Sequence, residues 1–184
     1  MSVAVVLPLA TLACCPSLLY SQQSKPSQYQ IEATYLYNFS RFVAWPQQAS
    51  TAKGGAFGIC VLGTDPFGPS LDTILSGENV GGRMLIARRI SKAQDASGCQ
   101  ILFVAASEET RLGDILQALD DSSVLTVSDI PEFSKHGGMI QFVMAGDKVR
   151  FEVNLKKASD AGLTLSADLL KVAVAVRRDP QPGT

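Results

Sequence analysis

The sequence predicts an α/β layered sandwich: a mixed, mostly parallel sheet flanked by helices, with a late β-hairpin. Three observations carry this expectation. The runs at 57–62, 99–105 and 123–127 are dominated by apolar residues without polar alternation, as in strands covered on both faces. Helical patterns stand between the strand runs, in the order β-α-β-β-α-β. Two further runs, 139–144 and 149–154, are separated only by Ala145-Gly146-Asp147-Lys148, which is hairpin spacing.

The chain has 184 residues, enough for one domain with a real core, and no Pro/Ser/Gly linker divides it after residue 55. Its first 24 residues carry no charge, and 3–20 is nearly all apolar or small. Pro8 and Pro16 interrupt that run, which reads as a secretory leader and not a membrane span. Cleavage is expected after Ser21, making 1–21 a signal peptide, although no Lys or Arg precedes the apolar run. Leu12-Ala13-Cys14-Cys15 faintly resembles a lipoprotein box, so lipid anchoring at Cys14 or Cys15 is the alternative. Residues 22–26 then form a short linker, 27–176 a single domain and 177–184 a disordered tail.

Ser27 and Gln30 make a capping box for the first helix. Ile31, Tyr35, Phe39 and Phe42 recur at helical spacing as its core face, and Trp45 anchors its end before Pro46 stops it. Tyr35, Phe39, Phe42 and Trp45 are thus an expected core aromatic cluster. Residues 47–55 are a polar loop. After the strand at 57–62, residues 66–75 read as a helix with Leu71, Ile74 and Leu75 inward. Gly81-Gly82-Arg83 turns into a strand over 84–90, and 91–97 makes one helical turn. The strand at 99–105 leads to a helix opened by Ser107, Glu108 and Glu109, with Ile115, Leu116 and Leu119 inward. Beyond the strand at 123–127 and the hairpin, 156–161 is a short helix. Ser166 caps a final helix carrying Leu169, Leu170, Val172, Ala173 and Val176.

Chemistry-bearing groups are sparse. The only histidine, His136, sits beside Gly137-Gly138 in a loop, and reads as a surface residue. No nucleophile elbow, Walker A, zincin or dinucleotide fingerprint is present. Two thiols and one histidine make no metal-ligand set, so no metal, cofactor or enzymatic activity is expected. A net charge of −1 offers no electrostatic case for nucleic acid. Asp65, Asp72, Asp129, Glu132 and Asp147 are scattered, and Asp129 near Pro131 reads as turn chemistry. Arg83, Arg88 and Arg89 form a basic patch, read either as an anion site or as a solvated edge strand. Alternation puts Arg150, Glu152 and Asn154 on one polar strand face, opposite Phe151 and Val153. Without the leader, Cys60 and Cys99 remain. An even pair in an exported chain suggests a disulfide, and two buried free thiols are the alternative.

Several phrases resemble the YfiR family of periplasmic repressors. Tyr37-Asn38-Phe39, followed by Phe42 and Trp45-Pro46, is similar to the end of that family's first helix. Cys60 with Gly63, Asp65-Pro66-Phe67-Gly68 follows, then Gly82-Arg83, Cys99 with Ile101-Leu102-Phe103, Val127-Ser128-Asp129, Gly137-Gly138-Met139-Ile140, Phe151-Glu152-Val153-Asn154 and Leu165-Ser166. The ordered set covers about residues 28 to 175. The resemblance implies an exported, non-enzymatic α/β domain that forms homodimers and represses a membrane diguanylate cyclase by contact with its periplasmic part. It further implies relief by an outer-membrane, peptidoglycan-binding lipoprotein. Cys60 and Cys99 match the family's cysteine pair in place; a second pair found in some members has no counterpart here, since 129–154 contains no Cys. Arg150, Glu152 and Asn154 become the expected partner interface. A periplasmic small-ligand binder or sensor is the alternative function.

Overall fold

The computed structural model describes residues 26–46 and 55–178. The expected signal peptide, Cys14 and Cys15, the linker up to residue 25, the polar loop at 47–54 and the tail from 179 lie outside the described residues.

Helix α1 (Gln28–Phe42) begins on the expected capping box: Ser27 Oγ accepts from Gln30 N (3.3 Å), and Ser27 N donates to Gln30 Oε1 (2.8 Å). Its buried face is Glu32, Ala33, Leu36, Phe39 and Ser40, not the expected Ile31/Tyr35/Phe39/Phe42 stripe. Phe42 is 42% exposed, so it does not belong to the core aromatic cluster. It lies two turns after Tyr35 on the same flank of the helix, and small side chains on the other flank let that side sink into the sheet instead. The aromatic core that does form joins Tyr35 and Phe39 to Phe142 and Phe151 of the hairpin. Trp45 anchors the helix end as expected: it packs edge-on to Phe57 and donates from Nε1 to Gln100 O (3.2 Å).

Strand β1 (Val43–Ala44) is followed by β2 (Phe57–Leu62), in which all six residues are buried. Helix α2 is shorter than expected (Pro69–Leu75), because Asp65 Oδ1 accepts from Phe67 N and folds 65–68 into a turn. Strands β3 (Asn79–Val80) and β4 (Arg83–Ile90) form an edge hairpin. Its two-residue loop, Gly81-Gly82, has positive φ at both positions, which glycine alone adopts freely. A 3₁₀ turn (Ala93–Ala96) leads to β5 (Cys99–Val104). The next expected helix opens as a 3₁₀ turn (Ala106–Arg111) and becomes α3 (Leu112–Ala118). Then come β6 (Leu125–Ser128), the hairpin strands β7 (Ile140–Ala145) and β8 (Lys148–Asn154), α4 (Leu155–Asp160), β9 (Thr164–Leu165) and α5 (Ala167–Val172). The last helix was expected to include Ala173 and Val176. Ala173 is extended instead, and β10 (Ala175–Arg177) lies parallel to β8, which carries ordered chain past the expected limit at 176. Alternating valines suit a strand better than a helix end.

The main sheet runs β10-β8-β7-β6-β5-β2-β4-β3. Only β7/β8 and β3/β4 are antiparallel, so the sheet is mixed and mostly parallel, as expected. β1 and β9 form a separate antiparallel pair beside it. The absence of alternation in the central strands has a direct cause. Phe57, Ile59 and Val61 of β2, with Ile101 and Phe103 of β5, pack under α1 and α2. Cys60, Leu62, Leu102 and Val104 pack on the opposite face against Leu112, Ile115 and Leu116 of α3. Cys60 and Cys99 are joined by a disulfide on that second face, with Cα atoms 5.9 Å apart.

Candidate functional site

Open α/β sheets bind ligands beyond the carboxyl ends of their parallel strands. At the β4 and β2 ends, that region is already occupied by the chain itself. Arg89 donates to Asp65 Oδ2 (2.9 Å), to both oxygens of Asp72 (2.9 and 2.6 Å) and to Gly68 O (2.9 Å). These bonds hold the Asp72 carboxyl below its ordinary range and push the guanidinium upward. Arg83 is spent at the other end of β4, on Gly55 O and Ala56 O, with its guanidinium over the Phe57 ring. The expected basic patch is therefore not one site: Arg83 and Arg89 are tied to other parts of the chain, and Arg88 is exposed with no such tie among the described residues. At the β5 end, Ser107 Oγ accepts from Thr64 N (2.9 Å) and Glu108 pairs with Arg111. Gly63 (φ 92°) completes this closure, since a Cβ there would lie 2.5 Å from Ser107 Oγ.

The β6 end differs. β7 continues past the end of β6, and the first turns of α1 lie over the gap. Glu32 from α1 and Asp129, just after β6, meet there. Glu32 is fully buried; Oε1 accepts from Gln28 Nε2 (2.8 Å), and Oε2 is buried with no hydrogen-bond partner in the protein. Asp129 Oδ2 accepts from Tyr29 OH (3.3 Å), and its Oδ1 is likewise buried and unpartnered. Both line a cavity of about 270 Å³, together with Gln28, Pro131, Gln141 and Phe142. Burial pushes the Glu32 carboxyl up to about 7; the Gln28 hydrogen bond opposes this and the nearby Asp129 adds to it. Burial also raises Asp129, against its own backbone hydrogen bond and that from Tyr29. Burial raises the Tyr29 phenol too, followed by the charges of Asp129 and Glu32. The turn role expected of Asp129 falls to Ser128, whose Oγ accepts from Ile130 N (2.9 Å).

The sign of the pH effect follows from that upward shift of Glu32. Below its ordinary value of 4.5 the carboxyl is protonated in both folded and unfolded chains and has no effect. Between 4.5 and about 7 the folded state holds the proton and the unfolded state has released it, so stability falls as pH rises. Above that window the ionised group costs about 3 kcal/mol. Glu32→Gln is therefore expected to match the parent near the acid end and to exceed it by about 3 kcal/mol at about pH 8. Urea unfolding of both proteins at the two ends of the window measures this. Equal stabilities at the alkaline end would show that Glu32 is well solvated.

On the hairpin, Arg150, Glu152 and Asn154 share one half-buried face of β8, while Val149, Phe151 and Val153 are buried on the other. Alternation had placed them correctly. Asn154 is then fully engaged: Oδ1 accepts from Lys157 N (3.0 Å) as the cap of α4, and Nδ2 donates to Ser134 O (3.0 Å). Glu152 accepts from Ser134 Oγ (3.2 Å), lies opposite Gln141 on β7 and pairs with Arg177 at 3.6 Å. Arg150 makes no such tie among the described residues. Sequence reasoning missed Ser134, Gln141 and Arg177 around Glu152. His136 is exposed in the loop before β7, as expected. Among the described residues, no three or more His, Cys, Asp or Glu side chains are grouped to hold a metal ion, and no helix is long and apolar enough to cross a membrane.

The fold is similar to a solved conserved domain protein from Vibrio cholerae O1 biovar eltor, at 10% identity and a TM-score of 0.54, over 82% of this chain and 60% of that one. It is also similar to an ABC domain from Streptococcus pneumonia solved in complex with L-Trp, at 11% identity and a TM-score of 0.50, over 65% of this chain and 56% of that one. This chain thus spans less than two thirds of either structure, and at such identities the likeness is one of fold. The family match is more specific: residues 29–174 match the YfiR/HmsC-like family, and the chain belongs to it.

Proposed function

We propose that this chain is an exported regulator that binds the periplasmic part of a membrane diguanylate cyclase and represses it by contact, without chemistry of its own. Membership of the YfiR/HmsC-like family over residues 29–174 carries this reading. The half-buried face of β8 supports it. Glu152 and Arg177 are each 25% exposed and are held by strand pairing, so they offer a partner fixed charges at little entropic cost. A homodimer is the proposed working form, and an outer-membrane, peptidoglycan-binding lipoprotein the proposed relieving partner. The second reading, a small-ligand sensor, draws its support from the cavity at Glu32 and Asp129.

Arg150 is the better residue for the test, because Glu152 and Asn154 have internal roles that confound theirs. Arg150→Glu is expected to leave the melting temperature within a few degrees of the parent. It is also expected to weaken binding to the cyclase's periplasmic part by about 2 kcal/mol or more. The measurement is capture from a crosslinked periplasm, alongside cellular cyclic-di-GMP. A folded variant that still binds and represses would move the contact away from this face.

A further inference from the structure

We propose that the cavity beyond the end of β6 is a binding site for a primary ammonium group on a short apolar stem, held between Glu32 and Asp129. The inference is independent of the repressor reading and deepens the ligand-binding one.

Each carboxylate has one oxygen satisfied by a neutral donor of the protein, Gln28 Nε2 or Tyr29 OH, and one buried oxygen with no partner in the protein. Buried polar groups are ordinarily paired, and unpaired buried charge is costlier still. Here the two residues that carry these oxygens, from different elements, line one cavity, and Glu32 is fully buried there. No basic side chain lines that cavity to neutralise them. The missing complement is a cation that brings hydrogen-bond donors. An ammonium supplies three donors and a positive charge; an anion or a neutral acceptor supplies neither.

The remaining walls narrow the choice. Pro131, Phe142, Val143 and Met144 line the same cavity and give an apolar run beside the acidic end. A bare inorganic cation gains nothing from them, and the described residues offer it no third carboxylate, histidine or thiolate in a ligating group. An ammonium with an alkyl stem uses both parts of the site. At about 270 Å³ the cavity lies just below the range of drug-sized pockets, roughly 300–1,000 Å³, which suits one such group. Met144, at the outer end of β7, is 50% exposed, so the apolar side opens to solvent and a stem can enter there. The rise of the Glu32 carboxyl to about 7 fits the same picture, since a bound cation would draw its proton off.

The chemistry is common to a free amine and to a lysine side chain of a partner protein, and the test separates them. The full mature chain, at about pH 8, is titrated with n-butylammonium chloride, with a capped Gly-Lys-Gly peptide and with calcium chloride, each against sodium chloride of equal ionic strength. Melting temperature and isothermal titration are the readouts. The expected result is a saturable rise in melting temperature with n-butylammonium or the peptide, weakened about tenfold or more in Asp129→Asn and in Glu32→Gln. Both substitutions keep side-chain shape, and each protein's own melt reports its folding. Tighter binding of the peptide assigns the site to a partner's lysine; tighter binding of n-butylammonium assigns it to a free amine. The proposal is overturned by no saturable response to either amine, by an amine response that both variants retain, or by a response to calcium alone.

Discussion

Phe39→Ala is expected to destabilise the protein by about 3–5 kcal/mol. The ring is fully buried and lies at the meeting point of α1 and the hairpin. It stacks on Phe142 with centroids 6.0 Å apart, meets Phe151 edge-on at 5.3 Å and stacks on Tyr35 at 6.0 Å. Truncation removes apolar burial and also leaves a void walled by three rings that are fixed by sheet pairing and by α1 itself. Neighbours held in that way collapse poorly, so the cavity term should be near its upper range. Phe42→Ala is the matched control. Its ring is 42% exposed, and its removal is expected to cost under about 1 kcal/mol. Urea unfolding of the two variants decides the matter. Similar losses for both would mean that α1 is rotated, with its aromatic flank inward.

That contrast also marks what was legible in the sequence. The central strands were readable because burial on both faces removes alternation, and β2 and β5 are buried at every position. The capping box at Ser27 and the cap at Ser166 were readable because they rest on chemistry within a few residues. The face of α1 was misread for a physical reason. Hydrophobic periodicity follows the large aromatics, whereas this helix buries Ala33, Ser40 and even Glu32 so that it can lie close to the sheet. Strands of two or three residues, β3, β9 and β10, are too short to carry a period, so the last helix was drawn through β10.

The candidate sites divide along the same line. Arg150, Glu152 and Asn154 share a face because alternation is a local rule, and β8 obeys it. What each residue does on that face depends on distant chain. Ser134 reaches Glu152 and Asn154 from a loop, and Arg177 arrives only through β10. Glu32 and Asp129 are farther still from local inference. In sequence, Glu32 is a polar helix residue and Asp129 a turn residue; their meeting depends on α1 crossing the end of β6. A signal was present in one respect: Glu32 follows Gln28 by four residues, the spacing at which one side chain can hold the other.

Removing the Cys60–Cys99 disulfide is expected to cost about 4 kcal/mol in the chain-entropy account. The bond closes a 39-residue loop that contains α2, the β3–β4 hairpin and the turn before β5. In the unfolded chain that loop is the main restraint the bond supplies. In the folded state β2 and β5 are already adjacent through parallel pairing, so the link asks little new of the native structure. Its cost of removal should therefore appear largely in the unfolded state: a lower midpoint in urea with a steeper dependence on denaturant, as the freed chain exposes more surface. Two experiments separate this from packing. Reduction keeps both sulfurs in place beside Leu62 and Leu102, whereas the Cys60→Ala/Cys99→Ala double variant also empties their volume from the core. The reduced protein should lose the loop contribution alone, and the double variant slightly more. Thiol labelling of unreduced, denatured protein should find neither Cys60 nor Cys99 reactive. If both label readily, or if the double variant falls within about 1 kcal/mol of the parent, then strand pairing and the α3-side core hold these two strands without the bond.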